Sequence, residues 1–553
     1  MNMRTYKSIL LLAIFIIFWS CESVEVDLVL RNATIVDGTG NPSYTGHVAI
    51  HGDSIYGLGD LKRIRGSQEI DIKGLVVSPG FINMLSWANE TLIEDGRSQS
   101  DIRQGVTLEV LGEGSSMGPL NYRMKNSMKE RQDDIQYDIS WDTLGEYLEF
   151  LRDKGISPNI ASFVGNASLR EYVLGFETRA PSDREMEQMK SLLREAMEEG
   201  AVGLSSALIY VPSGHARTDE LIELAKVVAE YDGLYISHIR GEEDDLLMAV
   251  DELITTARES GARAEIYHFK ASGEKNWHLL DSAILMIDQA RSEGLQITSD
   301  MYTYNASSTG LNVGLPGWAR EGGHEATMEL IRNPETRKKM IAENTFHVTP
   351  DKILLVGFRN PALKKYLGRT LADVMEERGT SAPETAVDLI YEDDSRIQVV
   401  YFSMSEDNIK KKIALPWMSI CSDAGSYATE GVFLNQSTHP RAYGSFARVL
   451  GKYAREERVI SMEEGVYKMT GLPAKNLKLK RRGLLKKGYF ADIVVFDPAT
   501  IQDHATFDKP HQYSTGVQHV WVNGIQVIKD GEHTGTLPGR IVRGPGYRGR
   551  RDI

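Results

Sequence analysis

Cysteine is almost missing from this chain: Cys21 and Cys421 are its only two thiols in 553 residues. With one of them inside an N-terminal export-like segment, no internal disulfide framework is available, and Cys421 reads as an inert buried side chain. Positive charge is also short. Lys and Arg total 63 against 77 Asp and Glu, a net charge of −14, which excludes a protein built to grip nucleic-acid phosphates. The one basic run, Lys478 to Lys487, reads as a solvated loop. No repeat or low-complexity tract is present to suggest a solenoid or a disordered chain. The apolar run from Ile9 to Trp19 is too short to cross a bilayer core of ~30 Å as a helix.

What is there resembles an ordinary globular enzyme: 41% hydrophobic, 25% charged, 50 glycines and 18 prolines. The length calls for one barrel-sized domain and smaller units beside it. Arg4 and Lys7 before the apolar run make residues 1–21 an export signal. The ending Phe18-Trp19-Ser20-Cys21 resembles a lipoprotein box, which predicts an exported periplasmic or cell-envelope protein whose only membrane contact is a lipid on Cys21. A plain secretory signal cut nearby is the alternative.

Short alternating strands follow the signal and return near the C-terminus, so residues 25–74 and 474–545 pair into one small β-sandwich domain formed from both termini. Between them, apolar strands alternate with amphipathic helices. The candidate strands are Leu75 to Met84, Thr107 to Leu111, Asn159 to Val164, Val202 to Ser206, Leu234 to His238, Ala264 to His268, Leu295 to Asp300 and Trp417 to Asp423. Eight strands predict an α/β fold, a (β/α)8 TIM barrel over residues 75–473. The long interval at about 305–415 reads as an inserted subdomain. Ser182 with Glu185 forms a capping box for a helix that Gly200 ends, and its methionines face a core.

Chemistry in such a barrel sits at the C-terminal ends of the strands. Four polar residues fall there: Glu113, His238, His268 and Asp423. Taken singly, a histidine at a strand end is usually a packed or hydrogen-bonded one. Together, two imidazoles and a carboxylate match a catalytic Zn2+ site that keeps one position open for water. Asp423 is then a further, unliganded carboxylate able to take a proton from water and pass it to a leaving amine.

The segments Ser78-Pro79-Gly80-Phe81-Ile82, Gln104-Gly105-Val106-Thr107, Gly203 to Tyr210, Ser237-His238-Ile239-Arg240-Gly241-Glu242, His268 to Gly273, Asp300 to Tyr304, Ser422 to Gly425, His439 to Gly444 and Gly488 to Phe496 resemble the N-acyl-D-amino-acid deacylase (D-aminoacylase) branch of the amidohydrolase superfamily. The likeness runs from about Asp27 to about Arg543. It implies that His238 and His268 are metal ligands and Asp423 the catalytic acid and base. It also implies that Lys270, Tyr302 and Arg441 hold the substrate carboxylate and that Tyr210 polarises the scissile carbonyl. Without the motifs, Arg441 reads as a structural ion pair and the two tyrosines as packing.

The departures are informative. Where the superfamily places Asp-x-His-x-His, this chain has Asn83-Met84-Leu85-Ser86-Trp87, and neither Leu85 nor Trp87 can ligate. The bridging cysteine of the D-aminoacylases is replaced in Gly112-Glu113-Gly114-Ser115, with Glu113 one position away. The remainder is similar to the one-metal pattern of some N-acetylglucosamine-6-phosphate deacetylases, so Glu113, His238 and His268 are assigned to a single zinc. The expected activity is hydrolysis of a linear amide beside a carboxylate, in an N-acyl-D-amino acid or a D-residue dipeptide. The alternatives are a cyclic-amide hydrolase of the hydantoinase or dihydroorotase kind, and a catalytically impaired surface-anchored binding protein.

Overall fold

The computed structural model describes residues 24–344 and 346–549. The expected export signal, with Cys21, lies outside them. Among the described residues no helix is long and apolar enough to cross a membrane.

Both termini contribute to one nine-stranded sheet. Val24–Ile35 pairs antiparallel with Tyr44–His51, parallel with Ile64–Asp71, and at its end parallel with Val76–Pro79. Val76–Pro79 then pairs antiparallel with Ile493–Phe496, which leads through Val517–Val522 and Ile525–Lys529 to the edge. Every second residue of these strands faces one apolar interior: Leu28 and Leu30, Val48 and Ile50, Ile493 and Val495.

The eight-stranded parallel barrel is present. Its strands are Phe81–Asn83, Val106–Leu111, Asn159–Ser162 continued by Val164–Gly165, Gly203–Ala207, Leu234–His238, Arg263–Ile266, Ile297–Met301 and Met418–Ile420. The ring closes where Met84 N–H donates to the Ile420 carbonyl and Ser86 bridges Ala424 in parallel. Leu75 to Met84, expected as one barrel strand, is divided at Gly80: its first half belongs to the terminal sheet and its second begins the barrel. The cause is steric, because a Cβ on Gly80 would lie 2.0 Å from Thr107 Oγ1. Only glycine lets the chain step between the two sheets there.

Ile82, Leu108, Val110, Phe163, Ile236 and Tyr267 fill the barrel interior, each burial being worth roughly 1.5–3 kcal/mol. Helices pack outside it, as in Asp183–Glu199, whose N-terminus carries the Ser182–Glu185 capping box and whose end is Gly200 at φ 113°. Met189, Leu193 and Met197 of that helix are buried in the core, as packing residues. The long interval after the seventh strand forms its own sheet from Ser307–Gly310, Gln398–Tyr401 and Ile353–Gly357, with a separate core running from Leu311 to Tyr401. The next helix, Glu406–Ile413, instead packs Ile409 and Ile413 into the barrel core. The basic run Lys478 to Lys487 is partly absorbed by the fold, with Lys478 on Asp232 and Arg482 on Asp492.

Candidate metal centre and active site

Glu113 reaches the barrel mouth because the second strand is followed by Gly112 at φ 94°. A Cβ at Gly112 would meet the Phe163 carbonyl at 2.4 Å, so the turn that aims Glu113 inward needs glycine. His238 is the last residue of the fifth strand. His268 lies two residues past the sixth, at φ 35°, and its N–H donates to Asp300 Oδ1 at 2.7 Å. Asp423, after the eighth strand, is also left-handed at φ 50°. Both therefore sit in the left-handed region that non-glycine residues seldom adopt.

The three expected ligands converge. Glu113 Oε1 lies 3.1 Å from His238 Nδ1 and 2.9 Å from His268 Nε2. One ligand atom from each residue falls within 4.8 Å of the others, and all three side chains are buried. The two rings stand nearly perpendicular, at 82°, with centroids 4.4 Å apart. Two nitrogens and a carboxylate oxygen suit zinc with room for water.

Charge points the same way. Burial and the Lys270 ammonium both oppose a proton on His268, yet the carboxylates of Asp423, Glu113 and Glu242 outweigh them and push it up to about 10. Burial would raise Glu113, and the charges of His268 and His238 hold it below the carboxylate range instead. The centre therefore favours positive charge beside its carboxylates, supplied here by a proton on His268, and a dication would supply it without that proton. The residues present fit the metal.

Glu242 takes no role in the sequence reading, though it closes the Ser237 to Glu242 motif. Its Oε1 accepts from Lys270 Nζ at 2.5 Å and lies 3.1 Å from His268 Nδ1, while Oε2 is 3.8 Å from His238 Nε2. The available signal was its spacing of four residues from His238 inside that motif.

Asp423 is near this cluster but is not free, which corrects the expectation of an unengaged carboxylate. Arg441 Nη1 is 2.6 Å from its Oδ2 and Trp87 Nε1 donates to its Oδ1 at 3.1 Å. Lys270, Tyr302 and Arg441 are brought together: the Arg441 guanidinium stands 4.5 Å above the Tyr302 ring and the Lys270 ammonium 5.9 Å from it. Both cations have acidic partners within the chain, and the Tyr302 hydroxyl donates to Met404 Sδ at 3.3 Å. The buried Nε of Arg441 has no hydrogen-bond partner. Tyr210 sits edge-on to His238, ring centroids 5.4 Å apart, and its hydroxyl shares a 2.6 Å hydrogen bond with Thr309 of the insert. Burial pushes its phenol up to about 12, so it stays a proton donor.

Where a second pair of imidazoles would stand, Leu85 is completely buried among Ile82, Leu108 and Val110. Asn83 is tied to Asp101 at 3.0 Å and Ser422 at 2.8 Å. Ser86 donates to Glu109 at 2.7 Å. Of the two positions, Leu85 is packed into the barrel core and Trp87 is turned to Asp423.

A closed parallel barrel with two imidazoles and a carboxylate at its mouth, flanked by a sheet from both termini, defines a metal-dependent amidohydrolase. Residues 437–528 match the Amidohydrolase family. D-aminoacylase of Alcaligenes xylosoxydans xylosoxydans is 31% identical over 94% of this chain and 98% of its own. The crystal structure of N-acyl-D-glutamate deacylase from Bordetella bronchiseptica, complexed with zinc and a phosphonate mimic of the tetrahedral intermediate, has TM-score 0.78 and 30% identity, covering 94% of this chain and 100% of that one. A D-aminoacylase structure describing a binuclear centre, with one-metal activation and second-metal attenuation, has TM-score 0.79 at 30% identity, with the same coverage. The chain belongs to the D-aminoacylase family of amidohydrolases. L-hydantoinase from Arthrobacter aurescens shares the fold alone, with TM-score 0.55 at 14% identity.

Proposed function

We propose that this enzyme hydrolyses the linear amide of an N-acyl-D-amino acid or a related D-residue dipeptide with one divalent cation, zinc by ligand type, held by Glu113, His238 and His268. The observation that carries the reading is the convergence of those three buried ligand atoms within 4.8 Å at the barrel mouth. The filling of the second position by Leu85 supports a single ion.

When bound, the cation supplies Lewis acidity and makes water a nucleophile near neutral pH. Asp423 accepts the proton of the attacking water and delivers it to the departing nitrogen as the C–N bond breaks. Trp87 and Arg441, one on each oxygen, hold that carboxylate in place. Tyr210, protonated and fixed by Thr309, donates to the oxygen of the scissile carbonyl as charge gathers on it. The unpartnered Nε of Arg441 offers a donor to the substrate carboxylate, with Lys270 beside it across the Tyr302 ring. The N-terminal segment supports an exported, envelope-held enzyme acting on small acylated amino acids.

The test is a panel of N-acetyl-D- and N-acetyl-L-amino acids assayed with zinc-loaded protein, alongside His238→Ala and Asp423→Asn. Turnover of D-substrates that both variants abolish is the expected result. Protein that carries stoichiometric zinc and cleaves no member of a broad panel would overturn the reading.

A further inference from the structure

Two guanidinium groups of the inserted subdomain stand beside Tyr210 with no acid of their own. Arg396 lies 5.5 Å from the Tyr210 ring, and its Nη2 donates at 3.1 Å to Thr309 Oγ1, the hydroxyl that also bonds the Tyr210 phenol. Arg320 Nε donates to the Leu315 carbonyl at 3.1 Å, and its charge is felt by the phenols of Tyr210 and Tyr401. Among the described residues neither guanidinium has a carboxylate within ion-pairing distance. Glu243, whose charge also reaches Tyr401, is taken by His347 Nδ1 at 2.6 Å.

The other cations around the centre are paired: Arg441 with Asp423, and Lys270 with Glu242. A guanidinium drawn out of water without a carboxylate loses solvation that nothing in the chain returns. Arg320 is partly buried, and burial pulls it below the ordinary arginine value. One ring face and one hydroxyl give Arg396 contacts but no negative charge. Both Nη groups of Arg320, with Nε and Nη1 of Arg396, are left to donate, and a planar fork of that kind suits a carboxylate. We propose that Arg320 and Arg396 form a specificity subsite for a second carboxylate on the substrate, separate from the one given to Arg441 and Lys270. The inference rests on the deacylase reading above. Tyr210 joins the two, because the phenol that meets the scissile carbonyl is the one these cations flank. The second carboxylate can come from the amino-acid side chain or from a dicarboxylic acyl group.

The experiment measures kcat/KM of the zinc-loaded full chain on two matched pairs, N-acetyl-D-glutamate against N-acetyl-D-glutamine and N-succinyl-D-leucine against N-pentanoyl-D-leucine. A hydrogen bond to a charged group corresponds to about 10- to 100-fold, and the charged member of one pair is expected to be favoured by that factor. A gain in the first pair places the second carboxylate on the side chain, and a gain in the second pair places it on the acyl group. Arg320→Met and Arg396→Met should each cut that ratio about tenfold, and Arg396→Glu should carry it below one. The ratio is the readout because a disturbed Tyr210 slows both members of a pair alike; thermal melts confirm that the variants fold. Neutral substrates cleaved as well as their charged partners would overturn the proposal and leave the deacylase reading intact. A preference for the charged member that survives in both Met variants would overturn it equally. Zinc-loaded protein that cleaves no acylated D-amino acid would remove the deacylase reading, and the proposal with it.

Discussion

Trp87 Nε1–H donates to Asp423 Oδ1 across 3.1 Å, from a sequence position where the superfamily places a metal-binding imidazole. The same residue's backbone N–H is tied to the Ala424 carbonyl at 3.0 Å, so Trp87 and Asp423 are held in register by the seam that closes the barrel. A side chain that cannot ligate holds the carboxylate from that position. Trp87→Phe keeps most of the bulk and removes the donor. A hydrogen bond to a charged group is worth about 1.5–3 kcal/mol, so kcat/KM should fall about 10- to 100-fold. Trp87 is 40% exposed, and the melting temperature should scarcely move. Steady-state kinetics with an unaltered kcat/KM would show that the contact does not support catalysis.

Metal removal gives a second outcome. Dialysis against a chelator should abolish activity, and one equivalent of zinc should restore it. A ligand present at about 100 times its Kd adds about 2.7 kcal/mol of stability, so the melting temperature should rise with zinc in the wild type and not in Glu113→Ala. Elemental analysis that finds two ions per active chain would contradict the proposed single-ion centre.

Much of this was legible in the residues. The strands of the barrel are short apolar runs with polar groups at or just past their ends, so position alone drew attention to Glu113, His238 and His268, which the fold brings together, while their roles as ligands were implied by the family resemblance. What periodicity could not register is a break that leaves hydrophobicity unchanged. Val76–Pro79 and Phe81–Asn83 read as one strand because Gly80, the residue that redirects the chain, differs only in lacking a Cβ. The partners of Asp423 were hidden for another reason: Trp87 and Arg441 are 336 and 18 positions from it in the chain, and only closure of the ring brings them together. Glu242 carries no signal of its own in the sequence, because Lys270 and the two imidazoles meet it only in the fold.

Tyr210 supplies a third expectation. Its hydroxyl is shared with Thr309 of the inserted subdomain, and the Arg396 guanidinium of the same insert lies 5.5 Å from its ring. Tyr210→Phe removes a donor aimed at developing negative charge, and kcat should drop about 10²- to 10³-fold with a much smaller change in KM. Thr309→Val leaves the phenol but frees its orientation, so its effect should have the same sign and be smaller. A Tyr210→Phe variant that raises KM and spares kcat would move the residue from carbonyl polarisation to ground-state binding.

The last expectation concerns stability and lies beneath the site. Glu265 on the sixth strand is fully buried, and burial, then the charge of Asp300, pushes its carboxyl up to about 8 against hydrogen bonds from Thr298, Ser419 and Asn476. Asp300, which holds the His268 backbone, is raised by burial to about 6. Unfolded glutamate titrates near 4.3, so between that pH and about 8 the folded chain keeps a proton that the unfolded chain has released. The unfolded state then binds fewer protons, and stability falls as pH rises. The contribution of Glu265 is complete below the ordinary carboxylate range and is lost as pH passes through about 8. Glu265→Gln keeps the shape and an acceptor but cannot ionise. Melting temperatures from about pH 5 to 9 should therefore decline less steeply in the variant than in the wild type. Parallel profiles would mean that Glu265 is already charged in the folded protein, and that the interior of the barrel tolerates both acids ionised.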